Sequence, residues 1–148
     1  MDLKAPPLEF LIENWNSDAN INATDPSTEI IRIPILHSKY NKFLTLHKLA
    51  EKKARFEYDK MKKIKWSYYT GKLTEEELKQ HNWEPFQFVL KSDISVYIDG
   101  DDDLSRLKRK IAYHEEAAKF CEYVMKELQS RTYQIRAYMD WEKFVQGS

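Results

Sequence analysis

Leu104, Leu107, Ile111, His114, Ala118, Cys121, Met125 and Leu128 step by alternate threes and fours without a miss. That rhythm returns every side chain to one face of an α-helix, and a strand with its period of two cannot satisfy it. A second seam runs through Leu36, Tyr40, Phe43, His47, Ala50, Ala54, Tyr58 and Met61, and reaches Tyr68 by way of Ile64 or Lys65. Two long helices carrying such seams must bury them against each other or against another surface. The chain is therefore expected to be all-α. Tyr113, Ala117, Phe120 and Val124 broaden the later seam beyond what a two-helix hairpin requires. The excess fits a broad core face or a surface for self-association.

Composition agrees with long solvated helices. The 148 residues suit one ordinary domain, and 32% of them are charged, above the roughly 25% typical of globular proteins. Three glycines and five prolines leave few turn signals. We read residues 1–148 as a single domain in four parts. Residues 1–30 form an extended acidic arm punctuated by asparagines, with Leu11, Ile12 and Trp15 as a short apolar anchor. A basic long helix spans 34–72, entering at Pro34, which restricts the residue before it, and stopping at Gly71. A connector over 73–100 contains short helices at 75–81, after the capping-box pair Thr74 and Glu77, and near 92–98, before Gly100. Residues 101–148 hold the second long helix, opened by Asp101, Asp102 and Asp103 at its positive dipole end. The pattern loosens near Thr132, and a shorter C-terminal helix follows.

The formal net charge is zero, but the charges are segregated. Residues 1–30 hold six acids and one base, whereas residues 42–72 hold ten bases and three acids. A basic block inside a neutral chain locates the positive field. A single cysteine, Cys121, cannot form an internal disulfide, so a reducing cytoplasm is expected. The N-terminus lacks the basic start and apolar core of a signal peptide, and no apolar run approaches the ~20 residues of a membrane span.

Several chemistries fail on their residues. His37, His47, His81 and His114 show no zinc-ligand spacing. An EF-hand loop begun at Asp99 places Leu104 where glycine is required and Lys110 where glutamate is required. Thr70-Gly71-Lys72 lacks the rest of a phosphate-cradling loop. Cys121 lies on a seam, where burial opposes thiol chemistry. No catalytic residue, metal or cofactor is expected, and the chain does not read as an enzyme.

The basic block remains. In KKIKWSYYTGK, residues 62–72, lysines alternate with large aromatic rings. Lysines neutralise phosphates and release counterions, while exposed rings stack on the bases of a single strand. At about 100° per residue, Lys48, Lys52, Arg55 and Lys62 can share a face away from the seam, joined by Lys63 and Lys65. The candidate DNA-binding residues are Lys52, Arg55, Lys62, Lys63, Lys65, Trp66, Tyr69 and Lys72. Charge and spacing alone equally permit a helical scaffold protein without nucleic-acid affinity, whose charged face is merely solvated.

The segments LHSKY (36–40), KIKWSYYTGK (63–72), TEEEL (74–78), WEPF (83–86), LKSDISVYIDGDDDL (90–104) and RTYQIRAYMDWEKFVQG (131–147), in that order and spacing, resemble the UvsY-type recombination mediators of T4-like bacteriophages. The resemblance covers most of the chain from Leu36 onward. It implies a non-enzymatic, mostly helical protein that forms a ring-like homo-oligomer of about seven subunits. It implies binding to single-stranded DNA and help in loading a phage recombinase, UvsX, onto strands covered by the phage single-strand-binding protein. The setting would be the cytoplasm of an infected host bacterium. A Lys-x-Arg step implicated in DNA binding falls on Lys63 and Lys65, with lysine replacing arginine and Trp66 replacing leucine. Lysine keeps the charge but loses the bidentate fork. Self-assembly through the C-terminal region implicates Leu128, Ile135, Tyr138, Met139, Trp141 and Phe144.

Overall fold

A computed structural model describes residues 4–86 and 89–147. All regular structure among the described residues is helical. Helix α1 spans Leu8–Asp18, α2 Pro26–Tyr69, α3 Glu75–His81, α4 Ile94–Asp99 after a 3-10 turn over Lys91–Asp93, and α5 Asp102–Val145. The chain divides into two compact units. One comprises residues up to Ala50 together with those from His114 onward, and the other is Glu51–Tyr113. Helices α2 and α5 contribute to both.

In the first unit the two seams meet. Leu36 and Tyr40 of α2 pack on Val124 and Leu128 of α5, with Trp15, Phe43, Phe120 and Met125 around them. Leu11 of α1 closes on Ala117 and Cys121. The N-terminal segment is thus not an extended arm. Leu8, Leu11 and Trp15 recur at helical spacing, and burying them folds residues 8–18. The tip of α1 is tied down by charge. The Asp18 carboxylate accepts from Lys39 Nζ at 2.7 Å and Tyr40 Oη at 2.9 Å. The buried Arg131 guanidinium donates to the Asp18 and Ala19 carbonyls, each at 3.1 Å, and so satisfies the last carbonyls of α1.

Helix α2 begins at Pro26, eight residues before the predicted entry at Pro34. Asp25 caps it, accepting from the Thr28 N–H at 3.3 Å and the Thr28 hydroxyl at 2.7 Å, and Pro26 takes the first helical position, where a missing N–H costs nothing. Pro34 lies inside the helix, an arrangement that costs about 3 kcal/mol. Tertiary contacts outweigh that cost: Leu36 and Tyr40 are buried, and Arg32, paired with Glu29 of its own helix at 3.0 Å, reaches Asp18 of α1 at 3.9 Å. Helix α5 likewise runs unbroken to Val145, with no separate C-terminal helix. Neither glycine nor proline occurs between Thr132 and Val145 to stop it.

His47 and His114 meet inside the same unit. His47 is fully buried and its Nε2 lies 2.7 Å from the Pro6 carbonyl oxygen, so Nε2 carries the proton and donates. Its Nδ1 therefore accepts from His114 Nδ1–H, 3.0 Å away. Burial holds the His47 pKa below its ordinary value, against the opposing pull of the Pro6 carbonyl.

In the second unit, Ile94, Ile98 and Leu104 form the core, flanked by Tyr58, Met61, Tyr69 and Val89. The predicted Thr74 cap and Gly71 stop are present, and the acidic start of α5 proves to hold a side-chain cap as well. Thr74 accepts from the Glu77 N–H at 3.2 Å. Gly71 adopts φ +71°, and Lys72 N–H and Gly71 N–H close back on the Ser67 and Tyr68 carbonyls at 2.9 and 3.1 Å, the paired bonds of a Schellman motif. Asp101 caps α5, its Oδ1 accepting from the Leu104 N–H at 2.9 Å.

Candidate nucleic-acid interface

The end of α2 sorts its lysines and rings onto different faces. Lys62, Lys63 and Trp66 point outward, and Trp66 is 46% exposed. Together with Asp59 and Ser67 they line a shallow open depression. Among the described residues, neither Lys62 nor Lys63 makes an ion pair. Lys52 and Arg55 extend the same face by helical geometry, Lys52 lying about 21 Å from Trp66 along the axis at 1.5 Å per residue. Arg55 is partly neutralised, its guanidinium gripping Glu51 Oε1 at 2.9 and 3.2 Å. Lys72 is exposed just past the Gly71 stop.

Lys65 and Tyr69 face the other way. Lys65 is 6% exposed, and its ammonium sits 3.0 Å from Asp101 Oδ2 and 2.9 Å from Asp103 Oδ2. It also lies over the Trp83 ring, 4.1 Å from the centroid. Burial alone would lower the Lys65 pKa, but the hydrogen bonds to Asp103 and Asp101 prevail and raise it. The Tyr69 hydroxyl donates to Asp101 Oδ2 at 2.6 Å. Tyr68 donates to the Glu84 carbonyl at 2.7 Å, and both tyrosines join Trp83, Phe86 and Tyr97 in one aromatic cluster. Lys65 and Tyr69 are therefore placed apart from the outward set, their polar ends already satisfied within the unit. Sequence spacing places Lys65 near the outward face but cannot reveal carboxylates that arrive from residues 101 and 103.

The assembly candidates also divide. Leu128 and Ile135 are buried within the first unit, at 0% and 3% exposure. Tyr138, Met139, Trp141 and Phe144 are exposed on the last turns of α5, with the Trp141 and Phe144 rings in tilted contact, centroids 5.7 Å apart. Ile135 and Tyr138 line a small apolar notch with Ile21, Ala23 and Pro26.

Other chemistry finds little support. Cys121 is fully buried, and burial, aided by the Glu122 charge, pushes its thiol up to about 11, which opposes thiolate formation. Among the described residues no group of three or more His, Cys, Asp or Glu side chains is placed to hold a metal ion. Among the same residues no helix is long and apolar enough to cross a membrane.

The sequence matches, over residues 14–148, the family described as recombination, repair and ssDNA binding protein UvsY. Crystal structures of the bacteriophage T4 recombination mediator protein UvsY share the fold. One superposes with a TM-score of 0.80 at 21% identity, covering 94% of this chain and 97% of that one. Another lattice form gives 0.81 at 19% identity, covering 94% and 99%, and a third 0.78 at 20%, covering 90% and 97%. No curated protein sequence matches the chain significantly.

Proposed function

The chain belongs to the UvsY family of recombination, repair and single-stranded-DNA-binding proteins, and from that we propose that it is a non-enzymatic recombination mediator. It binds single-stranded DNA and helps a UvsX-like recombinase replace the phage single-strand-binding protein. The observation that carries this reading is the outward set at the end of α2. Lys62 and Lys63 make no ion pair among the described residues and flank an exposed Trp66. Free ammonium groups serve phosphates and the indole serves a base, which only an unpaired strand can offer. Lys52 and Lys72 prolong the positive face, with Arg55 held in its pair with Glu51 between them.

One such face is a modest site. Assembly through the exposed Tyr138, Met139, Trp141 and Phe144 would repeat it around a ring, and joined weak sites hold one strand far more tightly than any of them alone. A strand so organised is loosened from its covering protein and offered to the recombinase. The buried Lys65, Leu128 and Ile135 and the part-buried Tyr69 serve this scheme by shaping the protomer.

The test is fluorescence anisotropy of a labelled single strand against a matched duplex over a salt series. The wild type should prefer the single strand, with log K falling linearly in log salt. Lys62→Ala/Lys63→Ala should lower that slope by roughly 1.4, at ~0.7 per phosphate contact on a single strand. Trp66→Ala should weaken binding by about 1–3 kcal/mol and leave the slope unchanged. An intact oligomer showing no salt-sensitive preference for the single strand refutes the reading and favours a scaffold protein.

A further inference from the structure

The basic surface of the second unit does not end on α2. Tyr58 and Trp66 stand four residues on either side of Lys62, so the three are neighbours along one side of the helix. The Tyr58 ring packs at its edge against the Ile94, Ile98 and Leu104 core. It is approached by two ammonium groups: Lys62 Nζ lies 6.0 Å from the ring centroid, and Lys108 Nζ, from α5, lies 5.8 Å from it. Each cation is attracted to the ring, but like charges brought to one ring repel each other. Neither Lys62 nor Lys108 forms an ion pair among the described residues. The carboxylate nearby is engaged elsewhere, since Glu57 binds Lys110 at 3.5 Å. Arg106 and Arg109 are exposed on the same stretch of α5 but turned away from Lys108 by about 160° and 100°, and they likewise make no ion pair among the described residues. Asp59, in the depression beside Lys62, is the acid that tempers this field.

We propose that Lys62 and Lys108 form a phosphate-binding pair astride Tyr58, which carries the bound single strand from α2 onto α5. The proposal rests on the single-strand reading above and extends its footprint. A phosphate group is attracted by both ammonium groups, each of which the Tyr58 ring also attracts. The strand then meets Trp66 by stacking, Lys62 and Lys63 by charge, and Lys108 by charge from the facing helix.

The experiment is salt-dependent anisotropy with a labelled oligodeoxythymidine, on the assembled protein, with oligomeric state checked by sedimentation. Lys108→Gln keeps a polar, unbranched side chain and removes the charge. It should lower the salt slope by roughly 0.7, as Lys62→Gln does, and Lys108→Arg should restore it. Lys119→Gln, an exposed lysine on the other unit, sets the background. If Lys108→Gln matches Lys119→Gln while Lys62→Gln and Trp66→Ala weaken binding, the pair is refuted and the single-strand reading stands. If the wild type shows no salt-dependent binding, both are refuted.

Discussion

Lys65→Met is the sharpest test of how the end of α2 is built. The substitution keeps an unbranched side chain and deletes the ammonium that lies over Trp83 and bridges Asp101 and Asp103. Breaking a buried ion pair from one side costs about 3–5 kcal/mol, because the remaining charge is stranded. Two features place Lys65→Met at the low end of that range. The Asp101 side chain, only 3% exposed, keeps the Tyr69 hydroxyl and the Leu104 N–H. Asp103 is 41% exposed and regains water. The expected loss is thus about 3 kcal/mol, read by urea denaturation at fixed protein concentration, since assembly contributes to apparent stability. Asp101→Asn on the Lys65→Met background should recover part of the loss, because it removes the stranded charge.

The same variant separates structure from contact. Lys65 is already neutralised by two carboxylates, so its loss should leave the salt slope of single-strand binding unchanged, whatever happens to the affinity. The pH dependence has a definite sign. Burial raises the Asp101 pKa, but Tyr69, the Leu104 N–H and Lys65 together lower it on balance. Its contribution is therefore present above the unfolded value of about 3.9 and is lost as pH falls below it. A Lys65→Met protein within about 0.5 kcal/mol of wild type, with a slope lowered by roughly 0.7, would refute the reasoning. Lys65 would then be a strand contact.

Two other outcomes follow from the first unit. Arg131→Met removes two charge-assisted bonds to the end of α1, and should cost about 2–3 kcal/mol and speed proteolysis within residues 8–18, measured by limited digestion; an unchanged digestion rate refutes the cap. His47 is held neutral by burial, with a folded pKa below its unfolded one, so its stabilising pair with His114 is present above about pH 6.5 and is lost as pH falls below it. Urea midpoints at pH 7.5 and 5.5 should differ in that direction in the wild type, and less so in His47→Gln; equal midpoints in the wild type refute the neutral pair.

The parts of the fold legible in the sequence are those specified locally. The two seams, the Gly71 stop, the Thr74 cap and the acidic start of α5 each rest on residues within a turn or two of one another. Helix α1 had a local signal too, in Leu8, Leu11 and Trp15, but its asparagines and acids obscured it. The early start of α2 was written in Asp25, Pro26 and Thr28. It was masked by Pro34, whose helix-breaking tendency yields to contacts with α1 that no local window contains.

The candidate site was half legible for the same reason. Consecutive residues on a helix are turned by about 100°, so Lys65 and Trp66 lie on different faces although they adjoin in sequence. Which of the two faces water depends on what the other helix brings. Asp101 and Asp103 arrive from the first turn of α5 and take Lys65 inward, and that leaves Trp66 outside. The lysines and rings of residues 62–72 are thus two sets interleaved by helical period. One set, Lys65, Tyr68 and Tyr69, holds the connector to the helix. The other, Lys62, Lys63 and Trp66, stays exposed, and it is this set that the proposed single strand would meet.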